Sequence, residues 1–174
     1  MPPPDPSSPA WFARVGLPLL DHERTGVVAM LDAFGFAAGA GVAGATSWWD
    51  AAQIIRAEES DSRRWDAEEE ERERLWLFAA ERLTEEDLLA QLAQASARWS
   101  DAVRDAAMAA AARAGVADPG LVRAAADAAL LAVHHCALAD LAGAAEGHYF
   151  RRKFRLFAAG RWPLGMLAGK YVVF

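Results

Sequence analysis

Residues 84–115 read TEEDLLAQLAQASARWSDAVRDAAMAAAARAG, and after two linking residues 118–142 read DPGLVRAAADAALLAVHHCALADLA. Thr84 followed by Asp87 is a capping-box pattern, which predicts a helix starting there. Leu88, Leu92, Ala95, Trp99, Ala102, Ala106, Ala109 and Arg113 then recur at 3-4 spacing, an a/d-like seam. Its first half is bulky and its second half is alanine, which allows a neighbouring helix to approach closely. Gly115 is placed to stop the helix. Asp118 before Pro119 is a cap followed by proline at the first helical position. A second long helix is expected to about residue 145. Val122, Ala126, Ala129, Val133, Cys136 and Asp140 mark one row of it, and Leu130, His134, Ala137 or Leu138, Leu141 and Ala145 the next. Two adjacent apolar rows suit a central helix.

Helical patterns continue upstream. In 63–82, Glu68 with Arg72 and Glu70 with Arg74 are i,i+4 pairs in the favourable order. Trp65, Glu69, Arg72, Trp76, Ala79 and Leu83 share a stripe, which turns Glu69 inward and leaves the run Glu68, Glu69, Glu70 and Glu71 otherwise exposed. Leu75-Trp76-Leu77-Phe78 is apolar nearly all round and is expected to be buried. Ser47 with Asp50 predicts another helix start, with Trp48, Ala52 and Ile55 inward and an interruption at Ser60-Asp61-Ser62. A helix is expected over 21–36, and a short one after Ser8-Pro9 with Trp11, Phe12 and Val15 inward. Residues 1–8, rich in Pro and Ser, are expected to be a mobile arm.

Downstream, 148–158 has Phe150, Phe154 and Phe157 on one side and Arg151, Arg152 and Arg155 on the other. Residues 161–174 read as a small hairpin with Ala168-Gly169 at its turn. The expected fold is all-α: five or six helices with a C-terminal β-hairpin, forming one domain over 9–174. Composition agrees. Alanine contributes 42 of 174 residues, while seven Trp and eight Phe supply bulk and only two Tyr are present.

Charge is unevenly distributed. No acid follows Glu146, and the last 28 residues carry Arg151, Arg152, Lys153, Arg155, Arg161 and Lys170. The chain sums to −6, so residues 1–146 carry −12 against +6 in the tail. Opposite charges must meet within the molecule, across an oligomer or on a partner. The tail, 148–174, is therefore read either as packing on its own acidic body or as a partner surface built on Arg151, Arg152, Arg155 and Trp162. Residues 58–87 carry 13 acidic and five basic side chains. That run is read either as a solvated face or as a surface for a basic protein. An excess of negative charge disfavours nucleic acid as a partner.

Other chemistry finds little support. Gly39-Ala-Gly41-Val-Ala-Gly44 matches GxGxxG, but no buried strand precedes it, so it is expected to be a loop or a close helix contact. His134-His135-Cys136 cannot all reach one metal from one helix, since neighbours point ~100° apart. A site near Glu69, His134 and His135 in a metal-dependent or small-ligand helical enzyme is the rival reading to a non-enzymatic adaptor or immunity-like protein. No metal or other cofactor is expected. Cys136 is the single cysteine, which excludes an intramolecular disulfide. The stretch 26–45 contains Asp32 and too much Gly and Ala for a membrane span. With no leader pattern at its start, a cytoplasmic protein is expected, free or as a homo-oligomer.

Overall fold

The computed structural model describes residues 9–36, 41–57 and 62–174. In chain order these form α1 (Asp21–Asp32), β1 (Gly41–Gly44), α2 (Trp48–Arg56), α3 (Ser62–Ala80), α4 (Glu85–Arg113), α5 (Pro119–Leu141), α6 (Tyr149–Ala158), β2 (Pro163–Leu167) and β3 (Lys170–Val173). It is a six-helix bundle with a small sheet at one side, so the helical bundle and the C-terminal hairpin are both present.

The cap signals hold. Thr84 Oγ1 accepts the Asp87 amide, Asp118 accepts the Gly120 and Leu121 amides, and Ser47 accepts the Asp50 amide. Asp50 reciprocates by accepting the Ser47 amide. These bonds satisfy donors that a helix start otherwise leaves open.

α5 runs through the middle, packed on α4, α3 and α6. Its Ala125, Ala129 and Val133 sit in one apolar cluster with Trp48, Val103, Phe157, Trp162 and Phe174. Its Leu138 and Ala139 sit in a second with Val27, Leu75, Leu88, Leu92, Phe150 and Tyr171. Among the described residues α5 alone is long and apolar enough to cross a membrane by length and composition. Here it occupies the core of the bundle. Of the stretch 26–45, residues 26–32 belong to α1 and 41–44 to β1.

Several expectations are corrected. The buried row of α4 is Leu88, Leu92, Val103, Ala107 and Ala110, not a seam ending in Ala102, Ala106, Ala109 and Arg113. A straight helix drifts ~20° per heptad from a 3.5 repeat, so over the roughly four turns from Leu88 to Val103 the seam turns ~40° away and the inward row slips to the next residue. α5 ends at Leu141, short of 145. Residues 11–16 form turns rather than a helix, with Phe12 buried at φ +54°. Of the expected core, Trp48, Leu75, Leu88, Leu92, Val133 and Leu138 are buried, Trp76, Trp99, Leu130 and Leu141 are half-buried, and Phe78 is exposed. Leu77 is also exposed, because α3 lies on the body along one narrow line.

The hairpin turns at Ala168 and Gly169, both with positive φ as a two-residue hairpin turn requires. It gains a third strand absent from the sequence reading. β1 pairs with β3 in parallel, Val42 opposite Tyr171, giving the order β1-β3-β2. Gly41 and Gly44 of the glycine motif therefore lie in a strand, and Gly39 falls outside the described residues. A Cβ on Gly44 would meet the Leu19 side chain at 3.4 Å, an ordinary contact distance, so the strand packs against the 17–20 segment without space itself demanding glycine. The 1–8 arm and Glu58 to Asp61 also lie outside the described residues.

Candidate functional site

The tail packs on its own body. Trp162 is buried against Trp48, Phe12 and Phe174. Arg151 pairs with Asp140 and Glu146, Arg155 pairs with Glu146, and Arg152 donates to the Gly147 carbonyl. Arg161 reaches Glu23, and Lys153 reaches Glu68. The charge asymmetry of the sequence is thus met inside the molecule. Of the six basic tail residues, four pair with a carboxylate; among the described residues Arg152 meets only a backbone carbonyl, and Lys170 has neither.

The glutamate run splits. Glu68 points inward and is 4% exposed. Its carboxylate accepts Lys153 Nζ on both oxygens at 2.9 Å and the Tyr149 hydroxyl at 2.5 Å, and it pairs with Arg64 one helical turn back. Phe34 stacks on the Tyr149 ring at 4.2 Å, and Arg64 lies over Tyr171. Burial lowers the Lys153 pKa, and Glu68 opposes that shift. Burial raises the Tyr149 pKa well above its ordinary value and that of Tyr171 to about 12, so both stay protonated. This is a closed ion cluster joining α3 to α6 and β3. Its chemistry is cohesion: one carboxylate holds two cations that the interior would otherwise repel.

Glu69 is exposed and chelated by Arg72, with bonds of 2.9 and 2.5 Å. The expected inward direction of Glu69 and outward direction of Glu68 are therefore reversed. The expected i,i+4 pairs from Glu68 and Glu70 are replaced by Arg64–Glu68, Glu69–Arg72 and Glu71–Arg74. Glu70 is exposed, while Glu71 is half-buried and also meets His148 Nε2 at 2.6 Å.

His135 is buried with its ring 4.4 Å from that of Phe150. Burial, assisted by Lys153, lowers its pKa to about 4, so it is neutral at pH 7. Burial, with Asp140 adding, raises the Cys136 thiol to about 12, far from a reactive thiolate. Among the described residues no group of three His, Cys, Asp or Glu is placed to hold a metal. Glu69, His134 and His135 thus do not assemble into a ligand set.

What remains outward on α3 is mixed in character. Trp65, Leu77 and Phe78 are exposed, interleaved with Asp66, Glu69, Glu70, Glu73 and Arg74. A shallow groove of about 330 Å³ lies between Arg72, Glu73, Trp76 and Leu77. Just beyond α3, Glu81, Glu85, Glu86 and Asp87 extend the acidic surface. Sequence reading found the acids of this face but missed its apolar members, because Leu75-Trp76-Leu77-Phe78 looks like core in isolation. No family model, curated protein or solved structure matches this chain.

Proposed function

We propose that the protein is a non-enzymatic interaction module, an adaptor or immunity-like protein, whose outward α3 face binds a basic protein. The reading rests on one observation: Trp65, Leu77 and Phe78 stand exposed on a helix otherwise studded with carboxylates. A helix that buries only a narrow line of its surface is stable when solvated, yet large apolar side chains on its outer side lose nothing by being covered. Aromatic and leucine anchors supply contact area, and the surrounding carboxylates favour a partner of opposite charge. Trp162 and Arg161 of the tail take no part in this surface, since both are interior.

A photo-crosslinking residue at Leu77 tests it, with Met108, also exposed, as the control position. A basic protein should be captured from Leu77 alone. Once purified, that protein should bind roughly tenfold or more weakly to a Leu77→Ser, Phe78→Ser double variant. Its affinity should also fall as salt rises. Equal capture at both positions, or undiminished binding by the double variant, would overturn the proposal.

A further inference from the structure

A second feature lies away from α3. A cavity of about 520 Å³ opens to solvent where α2 meets the C-terminal end of α4. Its apolar lining includes Val15, Trp48, Ala110, Val116 and Phe174, and Trp49 and Leu17 stand exposed beside it. The volume is that of a small-molecule site, and mostly apolar walls with few polar groups are the usual composition of one.

Three details narrow the ligand. First, among the described residues the only charged side chain lining the cavity is Arg113, which is exposed in the last turn of α4. No described carboxylate lines the cavity to neutralise it. Second, the neighbouring hydroxyls are uncharged and partly engaged: Ser47 Oγ accepts the Asp50 amide, and Thr46 Oγ1 donates to Asp50. Recognition of a charge therefore falls to the Arg113 guanidinium, whose planar fork suits a carboxylate. Third, Trp49 is 69% exposed, more than any other large apolar side chain described. Trp48 and Trp49 are adjacent on a helix and so point ~100° apart. Trp48 is spent on the core, which leaves the indole of Trp49 free to cover a flat apolar body.

We propose that this cavity binds a small carboxylate with an aromatic body, the carboxylate held by Arg113 and the ring by Trp49. The probe is 2-naphthoate, with neutral 2-naphthol as its uncharged counterpart, each titrated calorimetrically into the full chain. Saturable binding of 2-naphthoate is expected, tighter than that of 2-naphthol. Arg113→Gln should weaken 2-naphthoate roughly tenfold, to the level of 2-naphthol, through loss of a charge-assisted pair. Trp49→Ala should weaken both probes. Both substituted residues are exposed, so the variants should keep the wild-type melting temperature. A Leu89→Ala control, at an exposed position outside the cavity lining, should bind both probes as wild type does. Absence of saturable 2-naphthoate binding, equal affinity for the two probes, or indifference to Arg113→Gln would overturn the proposal.

Discussion

Arg161 and Glu23 form a two-pronged buried ion pair across 138 residues of chain, with Nε to Oε1 at 3.0 Å and Nη2 to Oε2 at 2.7 Å. The other three N–H groups of Arg161 donate to the carbonyls of Arg14, Leu17 and Pro18. All five donors of a buried guanidinium are thereby used. Glu23 in turn accepts Arg14 Nε and the Leu20 amide, the latter tying the start of α1. One residue of the basic tail thus fastens the 14–23 segment.

Removing one partner from such a pair leaves a buried charge or several carbonyls unanswered. Arg161→Met should cost roughly 3–5 kcal/mol, measured as a lowered urea midpoint. Arg161→Lys should recover only part of this, because an ammonium has three donors and no planar fork. Full recovery by lysine would mean that charge alone matters there.

Acid should weaken the fold in two stages. The His135 pKa is lowered from 6.5 to about 4, by burial first and Lys153 second, with smaller effects of Glu68, His134 and Arg72. The unfolded chain therefore takes up this proton before the folded one does, and stability present above pH 6.5 is lost as pH falls from 6.5 to 4. For Glu23, burial raises the pKa, but the bonds from Arg161, Leu20 and Arg14 outweigh it and hold the carboxyl at about 2 rather than 4.5. Its contribution is present above pH 4.5 and is lost as pH falls from there toward 2. His135→Leu should make the upper stage shallower, and Glu23→Gln should do the same to the lower. Unaltered pH profiles of unfolding free energy in these variants would contradict the assignment.

Gly160 permits the close approach of the 10–14 segment to the end of α6. A Cβ there would lie 2.9 Å from the Ala10 carbonyl oxygen and 3.1 Å from the Arg14 amide, at φ +94°. Gly115 also has positive φ, but nothing lies within 4 Å of its would-be Cβ. Gly115→Ala should therefore cost about 1 kcal/mol, the backbone term alone. Gly160→Ala should cost roughly 2–4 kcal/mol, since backbone overlap is added. Equal thermal shifts for the two would show that the contact relaxes freely.

Much of the bundle was legible because its signals are local. Thr84, Asp118 and Ser47 each cap a helix within three residues of themselves, and Ala168-Gly169 turns a hairpin between immediate neighbours. β1 was not legible: Gly41–Gly44 has no alternation, and its pairing with β3 is decided by chain more than 120 residues away. The direction of Glu68 was hidden for the same reason. Four consecutive glutamates look alike in sequence, and Tyr149 and Lys153, brought in by α6, select which one turns inward. Arg113 and Trp49 carry no pattern linking them, since only packing of α2 on the end of α4 brings them to one cavity.

One acidic run does two jobs: Glu68 holds the interior together, while Glu69 and Glu70 face outward. Urea unfolding of Glu68→Gln and Glu70→Gln tests this most directly, as the two substitutions are chemically identical and two residues apart. Glu68→Gln leaves Arg64 and Lys153 without their carboxylate and should lower stability by roughly 3–5 kcal/mol. Glu70→Gln, on the exposed side, should change it by less than about 0.5 kcal/mol. Equal effects from the two substitutions would mean that Glu68 holds nothing together that Glu70 does not.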